Sequence, residues 1–192
     1  YRTMKNTKKI VNGVMAFISM ILLIFLDQAV KIYIDSNFKV GETTPVIKNV
    51  FHITYVVNEG AAWSSFSGKT VMLLSVTAVI LVAVIMAYVV FLKKDMFKPL
   101  RVLMVFLASG AIGNMIDRFT KGYVVDMFDF KLIHFPVFNV ADIYVTCSVI
   151  IGMILILFKY NDDDFAALRK NGDIDKDDNA DKKSKVNDNT DK

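Results

Sequence analysis

The sequence predicts an all-α membrane core: four transmembrane helices with a small extracytoplasmic β-sheet between the first and second. Three observations lead there. Just over half of the 192 residues are apolar, above the usual share for soluble domains. The excess is gathered into four blocks, at residues 10–34, 71–92, 100–116 and 140–158, each compatible with one helix across a hydrocarbon core of about 30 Å. Between the first two blocks, a stretch alternates with a period of two instead of a helical one.

The first block follows Arg2, Lys5, Lys8 and Lys9, as a cleavable signal would. It is longer than a signal's h-region, no A-x-A-like site follows it, and Asp27 and Lys31 lie in its second half. It is therefore read as a retained span. After it, VFHITYVV sets Phe51, Ile53, Tyr55 and Val57 against Val50, His52, Thr54 and Val56. Alternation with β-branched and aromatic enrichment predicts a strand, with Val46 and Ile47 at its start beyond a turn over 41–45. Such a sheet belongs on the membrane surface, because open strand edges are not tolerated in lipid. Residues 10–160 thus form one membrane domain, whose loop 37–69 is β-rich.

Basic residues set the orientation. They are dense at the N-terminus and in the second connection, at Lys93, Lys94, Lys98 and Arg101, and sparse in the longer first and third connections. By the positive-inside rule both termini lie in the cytoplasm. Residues 161–192 hold ten Asp against seven Lys or Arg and few large apolar side chains, so they read as a disordered cytoplasmic tail. The net charge of +4 then rests on a basic membrane body, which suits anionic headgroups. No basic stripe interleaved with aromatics suggests nucleic acid. Cys147 is the only cysteine. It can form no internal disulfide or thiolate cluster and reads as a small buried hydrophobe.

Polar residues cluster on the outer side of the last two spans: Asn114, Asp117 and Arg118 in GAIGNMIDRF, Asp126 in GYVVDMFDF, Asn139 and Asp142 in FPVFNVADIYV. Charges bordering hydrocarbon are costly unless they pair or line a polar cavity. The run after Asp142 is so short that its helix spans only if Asp142 lies at or just below the outer interface, with Asn139 on the same face. Two close carboxylates cannot both ionise cheaply, so they share a proton. The ionised one takes a proton from water and the protonated one polarises a carbonyl. That chemistry is peptide hydrolysis by an aspartic dyad, with no metal and no cofactor.

Five ordered segments carry a resemblance: FLDQAVK at 25–31, VVNEGAAWS at 56–64, GAIGNMIDRF at 110–119, GYVVDMFDF at 122–130 and FNVADIYV at 138–145. Together they resemble the lipoprotein signal peptidase (signal peptidase II) family across residues 10–160. The resemblance implies that Asp126 and Asp142 are the catalytic pair and that Asn58, Asn114, Asp117, Arg118 and Asn139 shape the site. It implies as substrates bacterial prolipoproteins bearing a diacylglyceryl-modified cysteine, cut just before that cysteine, in the cell membrane near its outer face. A monomer surrounded by membrane lipid is the expectation. The sequence departs from the pattern at Ser109, at Trp63 and at Ile143 directly after Asp142, while both acid positions are intact.

Other residues have plainer readings beside these. Asp27 and Lys31, spaced i, i+4, read as a structural pair within the first helix. Asp117 reads as a partner in an ion pair or a carbonyl anchor, and Asp129 as a solvated loop acid. His134 lacks companions at ligand spacing, which argues against a metal site. Gly60 permits close backbone approach, and Trp63 is either an interfacial anchor or part of a cover over the substrate's lipid-bearing end. The same acidic cluster also suits a proton- or cation-coupled transporter, although its acids sit to one side of the membrane and no span is broken by Gly or Pro.

Overall fold

The computed structural model describes residues 2–60 and 70–168, with side chains except those of 2–6, 8 and 9. Helix α1 spans Arg2–Asn37, α2 Thr70–Phe91, α3 Lys98–Lys121 and α4 Val140–Phe158. All four are long and apolar enough to cross a membrane. Strands β1 (Thr43–Ile47), β2 (Phe51–Asn58) and β3 (Val124–Asp129) form one antiparallel sheet in that order.

Helix α3 is the central post, with α1, α2 and α4 packed around it. Its sequence explains how. Ala108, Ser109, Gly110 and Gly113 form a buried stripe of small residues, which lets helix backbones approach closely. A Cβ at Gly110 would lie 2.4 Å from the Ala141 carbonyl oxygen of α4, and one at Gly113 2.5 Å from an Asp27 carboxylate oxygen of α1. The Ser109 departure is accommodated because its Oγ donates to the Val105 carbonyl at 2.6 Å, within the same helix. Asn114, Asp117 and Arg118, polar as they are, do not end α3 near 116 as expected. The helix runs on to Lys121, where Gly122 at φ 85° provides the left-handed cap and donates its N–H to Arg118.

The sheet stands on the end of α1. Ile53, Tyr55 and Val57 of β2 and Val125 and Met127 of β3 pack with Ile34 and Val30 of α1 and with Phe38 just beyond it. The Tyr55 hydroxyl donates to Asp35, whose carboxylate also pairs with Lys121 at 2.8 Å, tying helix, sheet and the end of α3 together. Residues 43–45, expected in a turn, and Val46 and Ile47, expected to begin β2, instead make a separate strand. Thr43 pairs with Thr54 and Ile47 with Phe51, with a bulge between Pro45 and Ile47. Proline lacks a ladder donor, so an edge strand and a bulge are where it belongs.

Three expectations are corrected. Asp129 is not a solvated loop acid: it ends β3, is buried, accepts from the Thr54 hydroxyl at 2.7 Å and pairs with Lys131 at 2.8 Å. Burial alone would raise its carboxyl, but Lys131 and Thr54 outweigh it and hold it below the usual value. Cys147 is exposed on α4, because the helix turns that face away from α3. The tail is not structureless from Asn161. Residues 162–168 are helical, opened by reciprocal bonds between Asn161 and Asp164. Phe165 and Leu168 then pack on Phe97 and Tyr160. The average composition of the tail masks this apolar pair at i, i+3. The rest of the expected tail lies outside the described residues, as does Trp63.

Candidate active site

The site forms where β3, the segment before α4, and the ends of α3 and β2 meet. Alternation along β3 aims its side chains: Val125 and Met127 face α1, so Asp126 between them faces the opposite way, into a cavity of about 600 Å³. The free edge of β3 is covered by the segment entering α4. Met127 and Phe128 donate backbone N–H groups to the Phe138 carbonyl at 3.0 and 2.8 Å, and Phe138 donates to Phe128 at 3.1 Å. That pairing places Asn139 and the first turn of α4 beside Asp126.

Asn139 is the N-cap of α4. Its side-chain oxygen accepts from the Asp142 N–H at 3.0 Å, and an Asp142 carboxylate oxygen accepts from the Asn139 N–H at 3.2 Å. This is a reciprocal capping box, in which the third helical residue is Asp instead of the usual Glu or Gln. Because the oxygen of Asn139 is committed to the cap, its amide NH2 must point the other way. It donates to Asp126 at 2.6 Å and to the Asn114 side-chain oxygen at 3.1 Å.

Asn114 completes the bridge. Its oxygen also accepts from Lys31 Nζ at 2.9 Å. A lysine ammonium only donates, so it fixes the Asn114 amide with its NH2 toward Asp142, which accepts at 2.8 Å. Asn58 at the end of β2 donates to the second oxygen of Asp126 at 2.9 Å. Each carboxylate therefore receives two hydrogen bonds, and Asp126 and Asp142 line one cavity joined by an amide chain through Asn139 and Asn114. Burial first, and the neighbouring Asp142 second, push the Asp126 carboxyl up to about 7.

Below this pair lies a buried ionic base. Lys31 contacts Asp27 and Asp117 at 2.9 Å each, with all three side chains removed from solvent. Asp27 also accepts from the Ala141 N–H at 2.9 Å, so one carboxylate on α1 holds the start of α4. Asp27 and Lys31 do pair within α1, but they face protein, not lipid. Asp117 pairs with Lys31 across helices, while Arg118 anchors a backbone carbonyl, donating to Gly60 at 2.7 Å. Gly60 in turn donates its N–H to the Asn58 side-chain oxygen at 3.0 Å, which aims the Asn58 amide at Asp126.

Sequence reasoning missed Gln28. Its amide donates to Asp27, the Gly113 carbonyl and Asp117 at 3.1 to 3.3 Å. A third polar residue beside Asp27 in an otherwise apolar block was the available signal. It also missed the apolar wall of the cavity, formed by Phe135 to Phe138 with Ile143, Val145 and Cys147. Those residues carry no signal apart from hydrophobicity.

Comparison with known proteins bears on the family and the fold. The sequence model of the family described as Signal peptidase (SPase) II matches residues 19–158. The chain is similar to the lipoprotein signal peptidase of Fusobacterium nucleatum, 43% identical over 146 residues, covering 75% of this chain and 84% of the relative. It is 41% identical to that of Clostridium acetobutylicum over 139 residues, covering 71% and 89%. A bacterial membrane enzyme solved at 2.3 Å by the in meso method superposes with a TM-score of 0.67 at 32% identity, covering 77% of this chain and 92% of that one.

Proposed function

The chain belongs to the signal peptidase II family, and from that premise we propose that it is an aspartic endopeptidase of the bacterial cell membrane. Its substrates are prolipoproteins already carrying a diacylglyceryl group on a cysteine, and the cut falls just before that cysteine. The observation that supports the aspartic reading is the amide bridge. Two acids from different elements, Asp126 and Asp142, line one cavity and are held by Asn139 and Asn114, with hydrogen bonds to both.

Below about pH 7 Asp126 holds the proton of the pair, and Asp142 is the base. Asp142 takes a proton from a water as the water oxygen bonds to the scissile carbonyl carbon. Asp126 donates its proton to the carbonyl oxygen, giving a tetrahedral diol. Collapse breaks the C–N bond. The cysteine amine leaves with the proton that Asp142 took up, and a diol hydroxyl returns its proton to Asp126. Asn58 and Asn139 fix the Asp126 carboxyl, and Asn114 fixes that of Asp142. Arg118, by gripping Gly60, positions the Asn58 turn. Asp27, Lys31 and Asp117 set the α1, α3 and α4 junction on which both acids depend.

Residues 10–160 are then the catalytic unit, the sheet and the dyad lie toward the outer face of the membrane, and the termini are cytoplasmic. The apolar wall of Phe135, Phe138, Ile143 and Val145 gives the cavity a surface suited to lipid-bearing substrate. Gly60 and Trp63 begin the segment that would approach that end of the substrate.

The direct test is cleavage of one precursor prepared with and without diacylglyceryl modification, in detergent or proteoliposomes. The modified form is cut before its cysteine and the unmodified form is not. Equal cleavage of both would remove the lipid-dependent assignment.

A further inference from the structure

A second crevice opens at the other end of the bundle. Helices α1 and α2 both lie against α3, and between them, near the start of α3, is a space of about 190 Å³. Met15 and Ala16 of α1 and Val102 of α3 give it an apolar floor and wall; Tyr88 of α2 with Lys98 and Arg101 of α3 give it a polar rim. It shares no lining residue with the dyad cavity, and none of its lining residues is acidic.

The rim carries more positive charge than the structure balances. Arg101 is only 5% exposed. Its guanidinium donates to the Phe91 carbonyl at 3.3 Å, and its ion pair with Asp95 is wide, at 3.6 Å, to a side chain that is 94% exposed. A buried cation whose counter-charge sits in solvent is poorly compensated. Lys98, one turn earlier on α3, is exposed at the same rim and pairs with no acid among the described residues. Both residues lie where α3, a helix long and apolar enough to cross a membrane, begins, and headgroups meet the hydrocarbon at the depth of such a helix end. Basic pockets between spanning helices at that depth suit lipid phosphates.

We propose that this crevice seats one anionic phospholipid, its phosphate between Lys98 and Arg101 and an acyl chain along Met15, Ala16 and Val102. The apolar floor favours a lipid over free phosphate. No acid lines the crevice itself to receive the ammonium of a zwitterionic headgroup. A lipid here fills the gap between α1 and α2 and supplies Arg101 with a less exposed counter-charge than Asp95.

Native mass spectrometry of the detergent-purified protein tests this by titration with phosphatidylglycerol, phosphatidylcholine or inorganic phosphate. The wild type retains one phosphatidylglycerol and binds it at least fivefold more tightly than phosphatidylcholine. Lys98→Gln weakens phosphatidylglycerol about fivefold, the equivalent of ~1 kcal/mol for one basic residue at a membrane surface. Ala16→Trp fills the crevice and removes the bound lipid without altering a charge. Lys98 is on the surface, so its variant keeps the test alive if Ala16→Trp fails to fold, which a thermal melt reveals. Equal retention of both lipids, full occupancy by phosphate alone, or wild-type retention in Lys98→Gln would each overturn the proposal.

Discussion

Asn139–Asp142 and Asn161–Asp164 are the same local device in two places. Each is an Asn followed three residues later by an Asp, each opens a helix, and each makes the same pair of reciprocal bonds. The second pair is exposed or half-exposed and ends its work at the cap. In the first, Asn139 is fully buried and its spare NH2 group reaches Asp126 and Asn114. The motif starts a helix; what other elements bring to it decides whether it also does chemistry. The cap that orders α4 is thereby also a clamp on Asp126, one of the two acids proposed to be catalytic.

That contrast is broken most sharply by the acids themselves. Asp142→Asn and Asp126→Asn each lose at least about 1000-fold in kcat/KM, measured on a diacylglyceryl-modified precursor, while Asp164→Asn loses none. Wild-type turnover by either of the first two would remove the distinction between the caps.

Lys31→Met should come next. It leaves Asp27 and Asp117 buried without their cation, costing about 3–5 kcal/mol of stability, and it frees the Asn114 amide to flip its NH2 away from Asp142. The thermal midpoint falls and the residual folded protein is about 100-fold less active. Full activity with a lowered midpoint would show that Lys31 supports the fold and does not orient the dyad.

Acidity distinguishes the two regions further. With Asp126 at about 7, kcat/KM falls about tenfold per unit as pH rises beyond 7, because the proton donor is lost. Stability follows the same group. The folded state holds a proton that the unfolded chain releases near its ordinary value of 3.8, so stability drops as pH rises from about 4 to 7 and is flat above. The drop amounts to ~4 kcal/mol at most, and it is absent in Asp126→Asn. A wild-type melting profile without slope over that range would contradict the raised acidity constant.

The smallest effect separates cap from clamp. Asn161→Ala costs about 0.5–2 kcal/mol, seen as loosening of residues 162–168 by hydrogen exchange, with activity unchanged. Asn139→Ala costs a similar amount for its helix but also about 100-fold in kcat/KM.

What the sequence disclosed follows from the range of each interaction. The four spans and β2 were legible because periodicity and apolar length are local properties. The extension of α3 to Lys121 was not, because Asn114, Asp117 and Arg118 look like a helix end until their partners Lys31, Asp142 and Gly60 arrive from elsewhere. The polar members of the site were legible as costly residues near lipid, but their linkage was hidden. Nothing local says that Lys31 reaches Asn114, eighty-three residues away, or that Phe138 covers the edge of β3. Asp129 misled because a terminal acid in a loop-like segment carries no mark of the Thr54 and Lys131 that bury it.

One observable reaches the proposed shared proton itself: the infrared band of a protonated carboxyl, followed by pH titration of the purified enzyme. The expected band persists at pH 6, disappears with a midpoint near 7, and is missing from Asp126→Asn. A band unchanged in that variant, or one that has vanished entirely by pH 5, would contradict it.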